Sequence, residues 1–410
     1  MKGLLASFDT KEKKQQLIFS YIVFIINGML ALSIGSLLPF IRDAKGLDYA
    51  FCGLIVSLHS CGNLASSFLA GALPAAIGRK KTILIFNSFF AIAYLMIILG
   101  NSPVLMALAF LLTGLARGAT SNFTNLTINN LAPGKAGIIN GLHAMFSVGA
   151  FLFPLLLMVL TAADASAWIA ACFFMLAMGI LSFLLYVMIP VDENSTYLER
   201  KAVAKSGRSD KAESADKKKT DWGFFKEPLF WLCTATMFFY LCAEQGVIGW
   251  LITYFKDTGL MDSSLSQVMA SVQWVMILAG RLSVAYLSTR VDKVKLLRIM
   301  SVGFVAFCAI LLVSRSTGMI ILGILGFGYS MAGIYPTTVS FAGKIIQKYS
   351  MSWSFILTLA SFGSILMPSV IGKIAETSGI VYGMSSIVVV VAIDMVCIFF
   401  LTRYAKKNEE

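Results

Sequence analysis

The chain has 410 residues, of which 58% are hydrophobic and only 13% charged. Soluble domains carry about 25% charged residues, so this composition excludes a water-soluble globular protein and points to an integral membrane one. The formal net charge of +12 would suit a nucleic-acid binder, but the placement of the basic residues argues for a membrane instead.

A helix needs about 20 apolar residues to cross a bilayer. In chain order, such stretches run over 16–41, 51–77, 82–100, 104–131, 136–161 and 166–190. After a polar segment come 228–255, 265–288, 296–314, 319–342, 351–374 and 381–402. The first stretch is too long for a signal-peptide core and has no A-x-A site, so it is expected to stay in the membrane. The expected organisation is a six-helix bundle over 1–190, a cytoplasmic linker over 191–227 and a second six-helix bundle over 228–410. The linker holds nine Lys or Arg and eight Asp or Glu and includes the run SGRSDKAESADKKKTD. Such a segment cannot form a core and reads as a solvated tether. The fold class is therefore all-α integral membrane, with twelve spans in two six-helix repeats.

Lys and Arg set the orientation. With the N-terminus inside, cytoplasmic segments hold 26 of these residues and outer loops five: Arg42, Lys45, Lys256, Arg315 and Lys373. That asymmetry places both termini in the cytoplasm and accounts for the basic charge without nucleic acid. The seven cysteines lie in or beside apolar stretches with no C-x-x-C spacing, and the only histidines, His59 and His143, fall on different spans. No metal site or cofactor is expected. A Walker loop, an H-E-x-x-H pair and a nucleophile constellation are all missing, which argues against an ATP-driven pump or a membrane enzyme.

The two halves carry the same mark. Gly149 precedes Pro154 by five residues in the fifth stretch, and Gly363 precedes Pro368 by five in the eleventh. Gly and Pro in membrane helices signal close packing and bends. A duplicated chain of this kind suits a transporter with its site between the halves.

Two carboxylates lie well inside apolar stretches, Glu244 and Asp394. A charge at bilayer depth costs roughly 2.5–3.5 kcal/mol on insertion scales, so such a residue is by default a functional candidate. Glu244 is flanked by Tyr240, Gln245, Trp250 and Tyr254. Asp394 is expected to cap or pair with a neighbour, outside the site. In the fourth stretch Thr113, Arg117, Thr120, Ser121 and Thr124 fall within about 60° of one helical face, with Asn125 at its margin. Lipid would not tolerate that face, so it lines water or protein.

The six-plus-six plan and the loop Gly71…Gly78-Arg79-Lys80-Lys81 resemble the major facilitator superfamily and the signature between its second and third helices. Ala75 and Ala76 stand where that signature has Asp and Arg, and the second-half counterpart (Thr289-Arg290-Val291-Asp292-Lys293) is also degenerate. A finer resemblance is to the fucose-, galactose- and glucose-type proton symporter branch. It rests on Gly114, Gly118 and Asn125; on Asn140, Leu142, His143, Phe146, Gly149 and Pro154; on Glu244, Trp250 and Tyr254; and on Tyr335-Pro336-Thr337 and Gly280-Arg281. An acidic residue often found before the fourth-helix Asn is replaced near Ser121.

The resemblance implies a cavity lined by the first, fourth, seventh and tenth helices, which adds Asn27 and Tyr335 to the set. Amides and carboxylates suit sugar hydroxyls, and aromatic rings suit the apolar ring face. The expected substrate-binding set is Asn27, Arg117, Asn125, Tyr240, Glu244, Gln245, Trp250, Gln273, Trp274 and Tyr335. Glu244 is the expected proton carrier, and His143, Arg79 and Arg281 are the expected gating residues. Arg117, near the midplane, needs an anionic partner: Glu244, or a carboxylate on the substrate. The expected function is cation-coupled import, by proton, of a sugar or sugar derivative through alternating access. The alternatives are a sugar-acid or other organic-anion transporter, a drug exporter of the same fold, and a membrane sensor that does not transport. The expected partners are the substrate, a coupling cation and the lipid bilayer of the cell membrane, with the chain acting as a monomer.

Overall fold

A computed structural model describes residues 10–132, 136–191, 193–206, 222–288, 290–349 and 351–407. Among these residues there is no strand, and twelve helical stretches are long and apolar enough to cross a membrane. We number the α-helices α1 Lys11–Lys45, α2 Tyr49–Ala72, α3 Pro74–Ile77, α4 Arg79–Leu99, α5 Pro103–Leu131, α6 Ala136–Thr161, α7 Trp168–Met188 and α8 Ser195–Ser206. Then follow α9 Pro228–Thr258, α10 Ser263–Leu287, α11 Lys293–Val313, α12 Thr317–Met331, α13 Ile334–Lys348, α14 Ser352–Ser378 and α15 Ile380–Lys407.

Three boundaries depart from the sequence reading. The second stretch ends at Ala72, and α3 follows as a separate turn, because Pro74 has no amide hydrogen to continue the ladder. The tenth stretch is broken: α12 stops at Met331 and α13 restarts at Ile334, with Gly333 at the break and Pro336 in the first turn of α13. The linker, expected to be a tether, begins with a helix, α8. Most of its charged run, residues 207–221, lies outside the described residues.

The chain divides into two compact units, Met1–Ala31 with Leu58–Phe153 and Ala167–Lys218, and Leu32–Ser57 with Pro154–Ser166 and Lys219–Glu410. In the first unit α4 packs on α5 and α7. Val23, Phe86, Phe123 and Tyr186 form one core there, and Tyr21, Phe24, Ile128 and Leu142 a second. In the second unit α9 is the central element, packed on α14 and α15, while α11 packs on α12 and α15.

The paired Gly-Pro marks have a common structural cause. A Cβ on Gly149 of α6 would lie 1.8 Å from the Ile25 carbonyl oxygen of α1. A Cβ on Gly363 of α14 would lie 2.3 Å from the Phe238 carbonyl oxygen of α9. Each glycine lets its span's backbone touch the first helix of its own half, so the fifth and eleventh spans pack equivalently.

Candidate substrate-binding site

The second unit assembles a cluster around Glu244. The Tyr240 hydroxyl, one turn earlier on α9, donates to Glu244 Oε1 at 3.0 Å. Tyr335 sits in the first turn of α13, where the α12–α13 break places it with its ring centroid 6.1 Å from that of Tyr240. Trp353 stands edge-on to Tyr335 at 6.4 Å. Arg281 of α10 is within electrostatic reach of both phenols. Tyr240 is buried, whereas Glu244, Gln245 and Tyr335 are half-buried. A carboxylate, two phenols and a guanidinium are thus gathered from three helices.

Other expected members of the set lie elsewhere in that unit. Trp250 is fully enclosed. Its Nε1 donates to the Pro368 carbonyl at 3.1 Å and its ring packs 6.0 Å from Tyr49, so it ties α9 to α14 and α2. Gln273 and Trp274 of α10 are buried, and Gln273 Nε2 has no hydrogen-bond partner among the described residues. Asp394, expected to cap or pair, does neither: it is completely buried on α15, and neither of its carboxylate oxygens has a hydrogen-bond partner among the described residues.

In the first unit the polar face of α5 divides in two. Thr113, Thr120 and Thr124 are buried against protein. Thr120 Oγ1 accepts from Asn87 Nδ2 of α4 at 3.2 Å, and the Thr124 and Tyr186 hydroxyls are 2.6 Å apart. Arg117, Ser121 and Asn125, further round the helix, are only half-buried. Asn27 of α1 donates to Ser121 Oγ at 2.9 Å, and Asn125 Nδ2 turns back to the Ser121 carbonyl at 2.8 Å. Ser121, at the place of the missing acid, is thus the hinge of an amide cluster.

His59 of α2 was not among the expected site residues. It is buried, feels the charge of Arg117, and has Nδ1 2.8 Å from Thr113 Oγ1. The Thr113 hydroxyl already donates to the Phe110 carbonyl at 2.6 Å. It must therefore accept from His59, which assigns the ring proton to Nδ1 and leaves Nε2 an acceptor. No spacing in the sequence links His59 to Arg117, since they lie on different spans.

The expected gating residues fall in separate places. His143 is exposed on α6, edge-on to Phe24 at 5.6 Å. Arg79 opens α4, and its backbone amide donates to Glu193 Oε2 at 2.6 Å. Lys80 N donates to the same carboxylate at 3.2 Å. Lys80 Nζ in turn caps α7, donating to the carbonyls of Tyr186, Val187 and Ile189 at 2.6, 2.9 and 2.7 Å. An anion at a helix N-terminus and a cation at a C-terminus both oppose the helix dipole. Glu193, from the linker, thus supplies a carboxylate to a loop that has Ala75 and Ala76 in place of its charged pair.

A second group went unnoticed in the sequence. Arg42, near the end of α1, pairs with Asp257, near the end of α9, through both guanidinium Nη atoms, one of them at 2.8 Å. Asp43 pairs with Lys256. The Tyr49 hydroxyl donates to Asp257 Oδ2 at 2.7 Å, its amide donates to Glu376 Oε2 at 2.8 Å, and its ring lies 4.8 Å under Arg42. The signal was available: a basic–acidic doublet, Arg42-Asp43 and Lys256-Asp257, ends the first span of each half. Each base takes the other doublet's acid, and Arg42 also donates to Asp43 of its own doublet at 2.9 and 3.1 Å.

Twelve apolar helices with paired Gly crossings and an intramembrane carboxylate define a multi-pass membrane transporter of repeated architecture. The Major Facilitator Superfamily profile matches residues 18–368, and the chain belongs to that family. It is accordingly a transporter for a small-molecule substrate, not an enzyme. Among its relatives, the glucose/mannose transporter GlcP of Bacillus subtilis is 26% identical over 399 residues, covering 92% of this chain and 94% of GlcP. A TsgA protein homolog of Yersinia enterocolitica is 22% identical, covering 88% of each. The nucleoside transporter NupG shares the fold with a TM-score of 0.71 at 16% identity, covering 96% of this chain and 98% of that one. A bacterial homolog of the human lysosomal transporter Spinster, in an inward-facing unoccupied conformation, has a TM-score of 0.74 at 15% identity, covering 98% and 99%.

Proposed function

We propose that the protein imports a sugar or sugar derivative together with a proton, by alternating access of the bundles 1–190 and 228–410, with both termini in the cytoplasm. The observation that carries this reading is the Glu244 carboxylate, held by the Tyr240 hydroxyl in the middle of α9 and half-buried. A carboxylate in that setting changes its preference for a proton as water reaches it from one side or the other. The half-buried amides of Gln245 and Asn125 offer donors and acceptors for hydroxyls, and Tyr335 offers a ring face. The relationship to GlcP supports a sugar over other substrate classes. Arg79, through Glu193, and the Arg42–Asp257 and Lys256–Asp43 pairs are the gates, at the cytoplasmic and outer ends respectively.

The test is uptake into proteoliposomes under an imposed proton gradient. Wild-type protein accumulates labelled sugar, and Glu244→Gln abolishes accumulation while leaving part of the exchange of substrate for substrate. Full accumulation by that variant moves coupling to another residue. Arg117 favours a second reading, in which the substrate is a sugar acid whose carboxylate the guanidinium grips.

A further inference from the structure

A groove of about 350 Å³ opens between α11 and α15. It shares no lining residue with the Tyr240–Glu244–Tyr335 cluster. Its wall is made by Val302, Met395, Val396, Phe399 and Phe400, with Ser301 and Arg298 as the polar members. Val302, Val396, Phe399 and Phe400 are exposed, at 46–58% of their full surface. On a membrane helix such a face meets lipid and needs no protein cover.

Arg298 makes this groove more than a stretch of lipid-facing surface. It lies five residues into α11, about 7.5 Å along the axis from Lys293, and opposite Thr402, five residues before the end of α15. Its Nε donates to Thr402 Oγ1 at 2.8 Å, and its guanidinium carbon lies 5.2 Å over the Phe399 ring. These two contacts hold the fork against the helix pair. Among the described residues no carboxylate pairs with it, and the acid nearest in sequence, Asp292, is occupied capping α11 through Val294 N and Lys295 N. Lys295 and Arg403, both exposed, stand one turn from Arg298 and Phe399 on the same helix faces. The groove is therefore apolar along its length and cationic at the end where the helices leave the bilayer. An acyl chain joined to a phosphate has that distribution.

We infer that this groove is a binding site for an anionic phospholipid, with one acyl chain along Val302, Met395, Val396 and Phe400 and the headgroup phosphate on Arg298. The guanidinium has donors to spare beyond Nε and suits two phosphate oxygens at once. Lys295 and Arg403 add attraction for a net negative headgroup, so a zwitterionic lipid of the same chains binds less well.

Native mass spectrometry of the delipidated full chain tests this, titrating phosphatidylglycerol and phosphatidylcholine with identical acyl chains. Wild-type protein is expected to hold one phosphatidylglycerol in preference to phosphatidylcholine. Arg298→Gln should weaken that binding about tenfold, the scale of a lost charge-assisted hydrogen bond. Val302→Trp, which fills the groove but keeps the guanidinium, should weaken it too, and Arg298→Lys should restore part of it. A melting curve screens each variant for folding, and either one that folds decides the matter. Equal binding of the two lipids by wild-type protein overturns the proposal, as does unchanged phosphatidylglycerol binding in a folded variant. Displacement of the lipid by glycerol phosphate at equal concentration would show a site for a free phosphate instead, and also overturns it.

Discussion

Tyr240 and Glu244 are four residues apart on α9, the spacing that brings side chains together on one helix face, and their hydrogen bond at 3.0 Å needs no other element. That local pair makes a graded prediction possible. Glu244→Gln removes the proposed proton carrier and is expected to abolish gradient-driven accumulation. Tyr240→Phe keeps the carboxylate but removes one donor. A hydrogen bond to a charged group is worth about 1.5–3 kcal/mol, so its transport should persist with the pH midpoint moved upward by one unit or more. An unmoved midpoint would show that this bond does not tune the carboxylate. Arg117 separates two further readings. If it grips a substrate carboxylate, Arg117→Gln loses binding of acidic sugars while neutral analogues bind as before. If it tunes Glu244, substrate charge preference is unchanged and the midpoint of the transport pH profile rises, because the carboxylate has lost a cation. Equilibrium binding of a neutral and an acidic sugar, together with gradient-driven uptake across pH 5 to 8, distinguishes these outcomes.

Among the elements, the paired crossings are the least tolerant feature. A Cβ on Gly149 or Gly363 would overlap a carbonyl oxygen at 1.8 or 2.3 Å, and backbone cannot swing aside as a side chain does. Overpacking typically costs about 1–3 kcal/mol, so Gly149→Leu and Gly363→Leu should each lower folded yield and the melting temperature. Gly71→Leu, where a Cβ meets nothing within 4 Å, is the control and should leave both near wild type. The turn before α9 carries a pH-dependent contact of a different kind. Glu227, one residue before the helix, accepts from Lys348 Nζ at 2.8 Å and from the Tyr349 hydroxyl at 3.3 Å. The Lys348 hydrogen bond, followed by its charge, holds this carboxyl below the usual carboxylate range despite slight burial. The contribution is present above the unfolded carboxylate value of about 4.3 and fades as pH falls through the lower folded value. Melting curves of wild type and Glu227→Gln should therefore differ slightly at pH 7 and converge in acid, once the pH is below the lowered folded value. A difference that persists in acid would point to packing rather than charge.

At the scale of the whole molecule, the reciprocal pairing of Arg42-Asp43 with Lys256-Asp257 bears on which side is closed. Both doublets terminate the first span of a half, and both side chains of the Arg42–Asp257 pair are at most 15% exposed. A pair so placed lies between the surface and fully buried limits, about 1–3 kcal/mol, or roughly a 5- to 150-fold change in a two-state population. Beneath it the Ser57 and Ser369 hydroxyls meet at 2.8 Å. In a cysteine-free background, a cysteine at Ser57 should react slowly with an impermeant thiol reagent added outside. The same cysteine should react severalfold faster when Asp257→Asn is added. Equal rates would show that the doublets do not hold that end closed. Labelling of a cysteine near residue 210 from outside intact cells would break the proposed orientation with both termini in the cytoplasm.

Number and order of the spans, the duplication and the placement of Glu244 inside an apolar span were legible in the sequence. All three depend on composition along a single helix: apolar runs long enough to cross lipid, repeated Gly-Pro spacings, and a carboxylate where lipid tolerates none. Tyr240 was legible for the same reason, being one turn away. Contacts between spans were not. Trp250 and His59 have no sequence neighbour that reveals their partners, Pro368 and Thr113, because helix rotation and crossing set those meetings. The split of the α5 face has the same origin: which of Thr113, Arg117, Thr120, Ser121 and Thr124 is buried depends on where α2, α4 and α7 press against it. Asp394 is the reverse case, since its helix offers no local partner and the packing of the described residues around it supplies none either. The doublets at Arg42-Asp43 and Lys256-Asp257 stand between the two kinds. Their repetition is written in the sequence, but only the tertiary structure exchanges their partners, because an ion pair forms wherever two helix ends are brought within reach.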